Sequence, residues 1–384
     1  MYQKIIVIFF FLASTMQLHS QVVTVENAGK KAMNNFNDGI EYVMQADFQN
    51  ALEAFQKAIE AEPNFVDAYI KAGAASFELQ NDSLTLFYLL KAIDLKPDHD
   101  VGVYKKLAET EQRLMLYEDA GEHIKLFLEH PKITGVTRRN AEQFLISIEF
   151  AINAVKNPVE FNPVNLGREI NSEYSEYFPS IAADNSVMVF TRKIPQEGEA
   201  NMRIGETSLQ EDFYITTNNN DVWSASQNVG KPVNTRLNEG AQNISADGRY
   251  LFYTLCQSPD GFGRCDLYYA IKFGDVWSNP ENCGKNINGG DWESQPSISA
   301  DGKYLYFCST RPGGLGGHDI WYAEINENGT WNKAVNAGTP INTPYDEQSP
   351  FMHPDGRTIY FSSNGHPNMG GSDLFYAKKG IDDK

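Results

Sequence analysis

Two hydrophobic rhythms divide the chain. Between about Val23 and Val155, apolar residues return every three or four positions. Ala51, Phe55, Ala58 and Ile59 share one face of a predicted helix that Pro63 terminates, and Leu86, Leu89, Ala92 and Ile93 share another before Pro97. Tyr69, Gly73 and Phe77 begin the helix between them. From about Phe161 onward the apolar positions alternate in twos, within short runs bounded by Gly, Asn and Asp, which predicts strands. The clearest set is Gln295–Ala300, Lys303–Ser309, His318–Ile325 and Thr330–Val335. Its first two strands are joined by Asp301-Gly302, a dipeptide that supplies the positive φ of a tight hairpin.

Both regions repeat. Pro63 and Pro97 stand 34 residues apart, as do Gly39 and Gly73, and Ala58 and Ala92. One helix–turn–helix per 34 residues is the tetratricopeptide (TPR) period. Repeats are predicted over about 32–65, 66–99 and 100–133, followed by a capping helix over 137–156 with Thr137 as its N-cap. In the second region, hairpin Asp247, Asp301 and Asp355 recur every 54 residues, and so do Trp223, Trp277 and Trp331. Asp212, Asp266, Asp319 and Asp373 precede aromatic-rich strands at spacings of 54, 53 and 54. Four antiparallel strands per repeat make a β-propeller blade. An earlier copy over about Leu166–Asn228 uses Asp184-Asn185 at its hairpin, with extra length in the polar loop Lys193–Gln210. The last copy lacks a fourth strand, and Phe161–Leu166 is expected to supply it beside Asp373–Lys378, closing a ring of four blades. The predicted fold class is therefore multidomain, an α-solenoid of TPR repeats over 23–157 and an all-β propeller over 158–384.

The 384 residues carry a formal charge of −18, and neither region has a basic stripe, so nucleic acid is not an expected partner. Residues 1–20 read as a secretory signal: Lys4, the apolar run Ile5–Ala13, then Leu18-His19-Ser20. That run is too short to span a bilayer, and no later segment is apolar enough, so an exported chain without a transmembrane span is expected. Export permits disulfides. Cys256 and Cys265 flank one hairpin loop and are a possible pair, whereas Cys283 and Cys308 look unpaired.

Signatures of catalysis are missing from the sequence: no G-x-S-x-G elbow, no H-E-x-x-H, no Walker A loop and no Rossmann fingerprint. No catalytic residue, cofactor or metal is expected, and His318, His353 and His366 lack a ligand spacing. One constellation recurs in every blade, Asn-x4-Glu: Asn171/Glu176, Asn234/Glu239, Asn288/Glu293 and Asn342/Glu347. It has two readings. Either the carboxylates ring a channel mouth and bind a cation or small ligand, or each fastens its connection to the neighbouring backbone, which exact repetition favours. The recurrent Asp212, Asp266, Asp319 and Asp373 are expected to hold turn amides. In the helical region, Phe36, Ile40 and Val43, then Ile70, Ala74 and Phe77, occupy the first helix of successive repeats and form a candidate groove for a partner segment.

The stretches Ser299–Asp319 (Ser-Ala-Asp-Gly through Phe-Cys-Ser-Thr-Arg-Pro-Gly-Gly to His-Asp) and Asp355–Asp373 resemble WD40-like, TolB-type propeller repeats. A TPR array ahead of such repeats, behind a signal peptide, resembles a class of Bacteroidota envelope proteins related to OmpA-family and type IX secretion-associated proteins. A member of that class without the C-terminal OmpA-like domain is expected. The resemblance implies a periplasmic or outer-membrane-associated, non-catalytic scaffold or adaptor that binds other envelope proteins or peptide segments. The alternative is a glycan- or peptide-binding lectin-like propeller or a glycoside hydrolase using the ringed carboxylates. Oligomeric state is left open.

Overall fold

The computed structural model describes residues 22–195 and 209–380, so the signal expected over 1–20 and most of the Lys193–Gln210 loop lie outside the described residues. Two compact units divide between Ile152 and Asn153.

The first unit is helical. Its helices are α1 (Lys30–Met44), α2 (Phe48–Ala61), α3 (Val66–Glu78), α4 (Asp82–Leu95), α5 (Gly102–Arg113), α6 (Tyr117–Glu129) and α7 (Gly135–Lys156). The first six pack as hairpins, α1 with α2, α3 with α4 and α5 with α6. The small residues singled out in the sequence sit at the crossings. A Cβ on Gly39 would lie 2.5 Å from the Phe55 ring, and one on Gly73 would lie 2.5 Å from Leu89. Asp47 and Asn81 cap the second helix of their hairpins, accepting from the Asn50 and Leu84 amides at 3.2 Å. The last helix begins two residues earlier than Thr137 predicts.

The second unit contains four antiparallel sheets in a four-blade propeller arrangement. The first holds β1 (Ser175–Ile181), β2 (Val187–Pro195), β3 (Leu209–Asn219), β4 (Val222–Trp223) and β5 (Gln227–Asn228). The second holds β6 (Glu239–Ile244), β7 (Tyr250–Cys256), β8 (Cys265–Phe273), β9 (Val276–Trp277) and β10 (Glu281–Asn282). The third is β11 (Glu293–Ile298), β12 (Tyr304–Ser309), β13 (Asp319–Glu324) and β14 (Val335–Asn336); the fourth is β15 (Glu347–Met352), β16 (Thr358–Ser363) and β17 (Asp373–Lys378). Apolar faces of neighbouring sheets make the core. Val189 and Phe213 of the first sheet meet Leu251 and Tyr253 of the second. Phe252 and Leu267 of the second meet Leu305 and Phe307 of the third, and Ile320 of the third meets Ile359 and Phe361 of the fourth.

Every inner strand breaks register at the same point, between Tyr177/Ser180, Gly240/Asn243, Ser294/Ser297 and Gln348/Phe351. The bulged residues Phe178, Ala241, Gln295 and Ser349 carry φ of 50°, 51°, 57° and 52°. Just beyond each of the first three bulges, a side chain reaches the next sheet. Ser180 Oγ accepts from Ile244 N–H, Asn243 Oδ1 from Ile298 N–H and Ser297 Oγ from Met352 N–H, all at 2.9 Å.

One expectation is corrected. Residues 161–166 form no strand, and the fourth sheet keeps three. Pro163 removes a ladder donor from the middle of this stretch, and Phe161 and Val164 stand 80% and 83% exposed. The predicted outer strand Thr330–Val335 is also shorter in the structure, where the outermost pairing of the other sheets is two residues long at β5, β10 and β14.

Candidate functional site

The Asn-x4-Glu constellation is built by a connection that runs from the outer edge of one sheet to the inner strand of the next. It begins with an Asn-x-Gly turn. The amides of Gly167, Gly230, Gly284 and Gly338 each donate at 2.8 Å to Oδ1 of Asn165, Asn228, Asn282 and Asn336, with Gly supplying the left-handed conformation. Six residues after that Asn, the second Asn donates to the same Oδ1, at 2.9 Å from Asn171, 2.8 Å from Asn234, 2.8 Å from Asn288 and 2.9 Å from Asn342.

In three repeats this second Asn also grips the preceding sheet. Asn234 Oδ1 accepts from Phe213 N–H at 2.9 Å while its Nδ2 donates to Phe213 C=O at 3.0 Å. Asn288 holds Leu267 in the same way at 2.8 and 2.9 Å, and Asn342 holds Ile320 at 2.9 and 2.9 Å. Asn171 is half-buried and grips no strand.

Each Glu turns inward to its own connection. Glu176 accepts from Ser172 N–H at 3.0 Å and pairs with Arg192 at 2.8 Å. Glu293 accepts from Gly289 N–H at 2.8 Å and Ser309 Oγ at 2.9 Å, with Arg311 at 3.1 Å. Glu347 accepts from Thr343 N–H at 2.7 Å and Ser363 Oγ at 2.7 Å. Glu239, Glu293 and Glu347 are closed to solvent, so the carboxylates are spent on the fold and do not line an open mouth. Glu239 is the exception in chemistry. Leu255 stands opposite it, where Arg192, Ser309 and Ser363 stand opposite the other three. Its Oε2 lacks a partner, and burial, opposed by the Thr235 bonds and aided by the Asp212 charge, pushes its carboxyl up to about 7.

In the second carboxylate series Asp212 departs from expectation, accepting from the side-chain amides of Gln210 at 2.9 Å and Asn228 at 2.8 Å, while the other three gather loop amides. Asp266 accepts from Phe262 and Gly263, Asp319 from Leu315 and Gly316, and Asp373 from Met369. His318 pairs with Asp346 at 2.9 Å, His353 with Asp355 at 3.3 Å, and His366 contacts the Ile341 carbonyl at 3.0 Å. Among the described residues no group of three His, Cys, Asp or Glu is placed to hold a metal. The Cys256 and Cys265 sulfurs are bonded at 1.99 Å, while Cys283 and Cys308 are free and buried, with both thiols pushed up by desolvation.

On the helical unit the six expected groove residues separate into two groups. Phe36 is 7% exposed, its ring 5.6 Å from Phe55 and 5.1 Å from Phe65. Ile40 packs on that same cluster, and Ile70 on Leu89, Val103 and Leu107. Val23 joins the first cluster, with its carbonyl accepting from Val66 N–H at 2.9 Å, so the N-terminal stretch closes this end. Val43 stays exposed, and Ala74 and Phe77 stay half-buried. Lys106 Nζ lies 3.6 Å and the Arg113 guanidinium 3.9 Å from the Phe77 ring centre, and Asp82 holds Arg113 at 2.9 Å.

A feature that periodicity does not expose is a cavity of about 980 Å³ between the second and third sheets, lined by Tyr250, Phe252, Tyr269 and Trp331 with Lys285 and Asp301 at its polar side. Phe252 sits at the centre of this aromatic set, 5.8 Å from Tyr269 and 6.3 Å from both Tyr250 and Trp331. The sequence signal was present as alternate aromatics on β7 and β8, but it does not distinguish a lined cavity from a core.

No family model matches the chain, and no curated protein sequence matches it. The N-terminal helices are similar in fold to solved TPR domains. The first TPR of Spaghetti (RPAP3), solved with an HSP90 peptide, is 20% identical over 33% of this chain and 96% of its own, with a TM-score of 0.30. The TPR2B domain of yeast Sti1, in a complex with an Hsp70 peptide, is 22% identical over 32% and 98%, with a TM-score of 0.29. MamA from Desulfovibrio magneticus is 15% identical over 34% and 71%, with a TM-score of 0.31.

Proposed function

We propose that the chain is a non-catalytic adaptor that holds an extended or helical segment of another protein on the first helices of its TPR repeats. The supporting observation is the row Val43, Ala74 and Phe77. These residues stay outside the core into which Phe36, Ile40 and Ile70 are drawn, and two cations cover the Phe77 ring. An apolar row with cations beside it suits a partner segment that carries an apolar side chain next to a carboxylate. In the propeller the recurrent Glu239, Glu293 and Glu347 are buried as fasteners, which favours binding over catalysis. An exported, envelope-associated location and a link to type IX secretion rest on the sequence resemblance and on the apolar N-terminal run. In that reading the segment belongs to another envelope protein.

The test is photo-cross-linking from a probe placed at position 43 in the native host's envelope, with and without the double substitution Ala74→Asp/Phe77→Ala. Cross-links to one or two envelope proteins that vanish in the double variant, with the melting curve unchanged, support the reading. The same cross-links surviving the double variant refute it.

The lectin-like alternative has one observation in its favour, the aromatic cavity between the second and third sheets. Glycan-array binding lost in Trp331→Ala would support it, and an array without signal for the wild-type chain would remove it.

A further inference from the structure

We propose that the fourth sheet is the docking surface for the first sheet of a second copy of this chain, joined head to tail. The three internal junctions share one chemistry. An Asn on the incoming connection grips the backbone of the residue that follows the recurrent Asp: Phe213, Leu267 or Ile320. A side chain four residues beyond the recurrent Glu (Ser180, Asn243, Ser297) accepts the next inner strand's amide.

The same parts stand formed but unjoined at the two ends of the propeller. At the head, Asn171 is already set by its bond to Asn165 and has no strand to grip. At the tail, Leu374, the residue after Asp373, is 83% exposed, and no side chain grips it. Beside it the Tyr376 and Tyr360 rings lie 6.0 Å apart, and Tyr360 lies 6.5 Å from Phe351. Of their equivalents in the third sheet, Tyr306 and Ser297 lie against the fourth.

The occupant is argued from the fourth junction position itself. Where the internal junctions use a hydroxyl or amide acceptor, the tail has Phe351, and the amide it would face belongs to Ile181, the counterpart of Ile244. Both side chains are open, at 44% and 47%. Head and tail therefore match each other apolar to apolar, and no internal position has that pairing. Within one chain the plug is formed away from its socket, so a second copy supplies the complement. A heterologous contact of this kind propagates or closes by symmetry.

Sedimentation equilibrium of the full chain reads the proposal directly. Wild type should show a mass that rises with concentration. Ile181→Asp (head) and Tyr376→Asp (tail), both at exposed positions, should each weaken association at least tenfold. An equimolar mixture of the two variants should recover association but stop at dimers, because only one competent head and one competent tail remain per pair. Cross-links between 161–176 and 373–378 in a mixture of ¹⁴N and ¹⁵N chains should include pairs of unlike isotope, which closure within one chain cannot give. A monomer at all concentrations, variants that associate like wild type, a mixture that fails to complement, or cross-links of like isotope alone (closure within one chain) would each overturn it. The TPR row takes no part in these readouts, so failure here leaves the adaptor reading standing.

Discussion

Asn288→Ala and Asn171→Ala make the same substitution in the same motif, yet the structure assigns them different costs. Asn288 is 2% exposed and makes three bonds, two to Leu267 and one to Asn282. Its loss leaves the Leu267 carbonyl with one partner, the Cys283 amide at 3.0 Å, but orphans the Leu267 N–H in a dry site. A buried donor left unpaired costs about 1–3 kcal/mol and each lost bond about 1, so the expected destabilisation is about 3 kcal/mol. Asn171 makes one bond, to an acceptor that keeps the Gly167 amide, and it is half-buried. Its replacement should cost under about 1 kcal/mol. All five Trp lie between 223 and 331, so tryptophan fluorescence in a urea titration reports on the propeller alone. Run at low protein concentration, the titration should separate the two variants by about 2 kcal/mol. Equal costs, or a cost below 1 kcal/mol for Asn288→Ala, would refute the reasoning that the Asn is a junction pin.

Glu239→Gln tests the unmatched carboxylate. Because burial raises the folded pKa from 4.5 to about 7, the contribution to stability is full below pH 4.5 and lost as pH rises through 7. The difference between wild type and Glu239→Gln should therefore grow in the variant's favour across that window, to a ceiling of about 3 kcal/mol; a pH-independent difference would show that Glu239 titrates normally. Gly39→Ala should destabilise the helical unit by about 1–2 kcal/mol by circular-dichroism melting, since the clash with the closed-in Phe55 outweighs the helix-propensity gain; a stabilised variant would mean the hairpin can spread. Replacing both Cys256 and Cys265 by Ser opens a loop with a sequence separation of 9 and should cost about 2–3 kcal/mol in the same urea titration, with no change in wild type after blocking of free thiols.

Much of this architecture was readable because its markers have simple physical causes. Gly39 and Gly73 recur because helices that cross so tightly leave no room for a Cβ, and Asp301-Gly302 recurs because the hairpin needs positive φ. The recurrence of Asn and Glu was visible too, but not the direction of the bonds. That direction depends on a register break at Gln295 and its counterparts, and ordinary residues in a left-handed conformation leave no compositional trace. Phe161–Leu166 leads into the same Asn-x-Gly turn as the outer edges of the other sheets, yet that turn forms without a ladder before it. Phe36 misled for a tertiary reason: its position on α1 is a groove position, but a distant stretch at Val23 makes that end part of the core.

The left-handed bulge and the Asn grip imply that the repeating frame and the sheet are out of step. Every frame after the first opens with the turn that secures the sheet before it, so a blade made during synthesis remains unlatched until the next frame's first dozen residues have emerged. Completion is therefore passed forward along the chain. A frame inserted or deleted whole should leave every latch intact, whereas a cut placed at a sheet boundary would strand one blade without its latch and leave the next with a latch and nothing to hold.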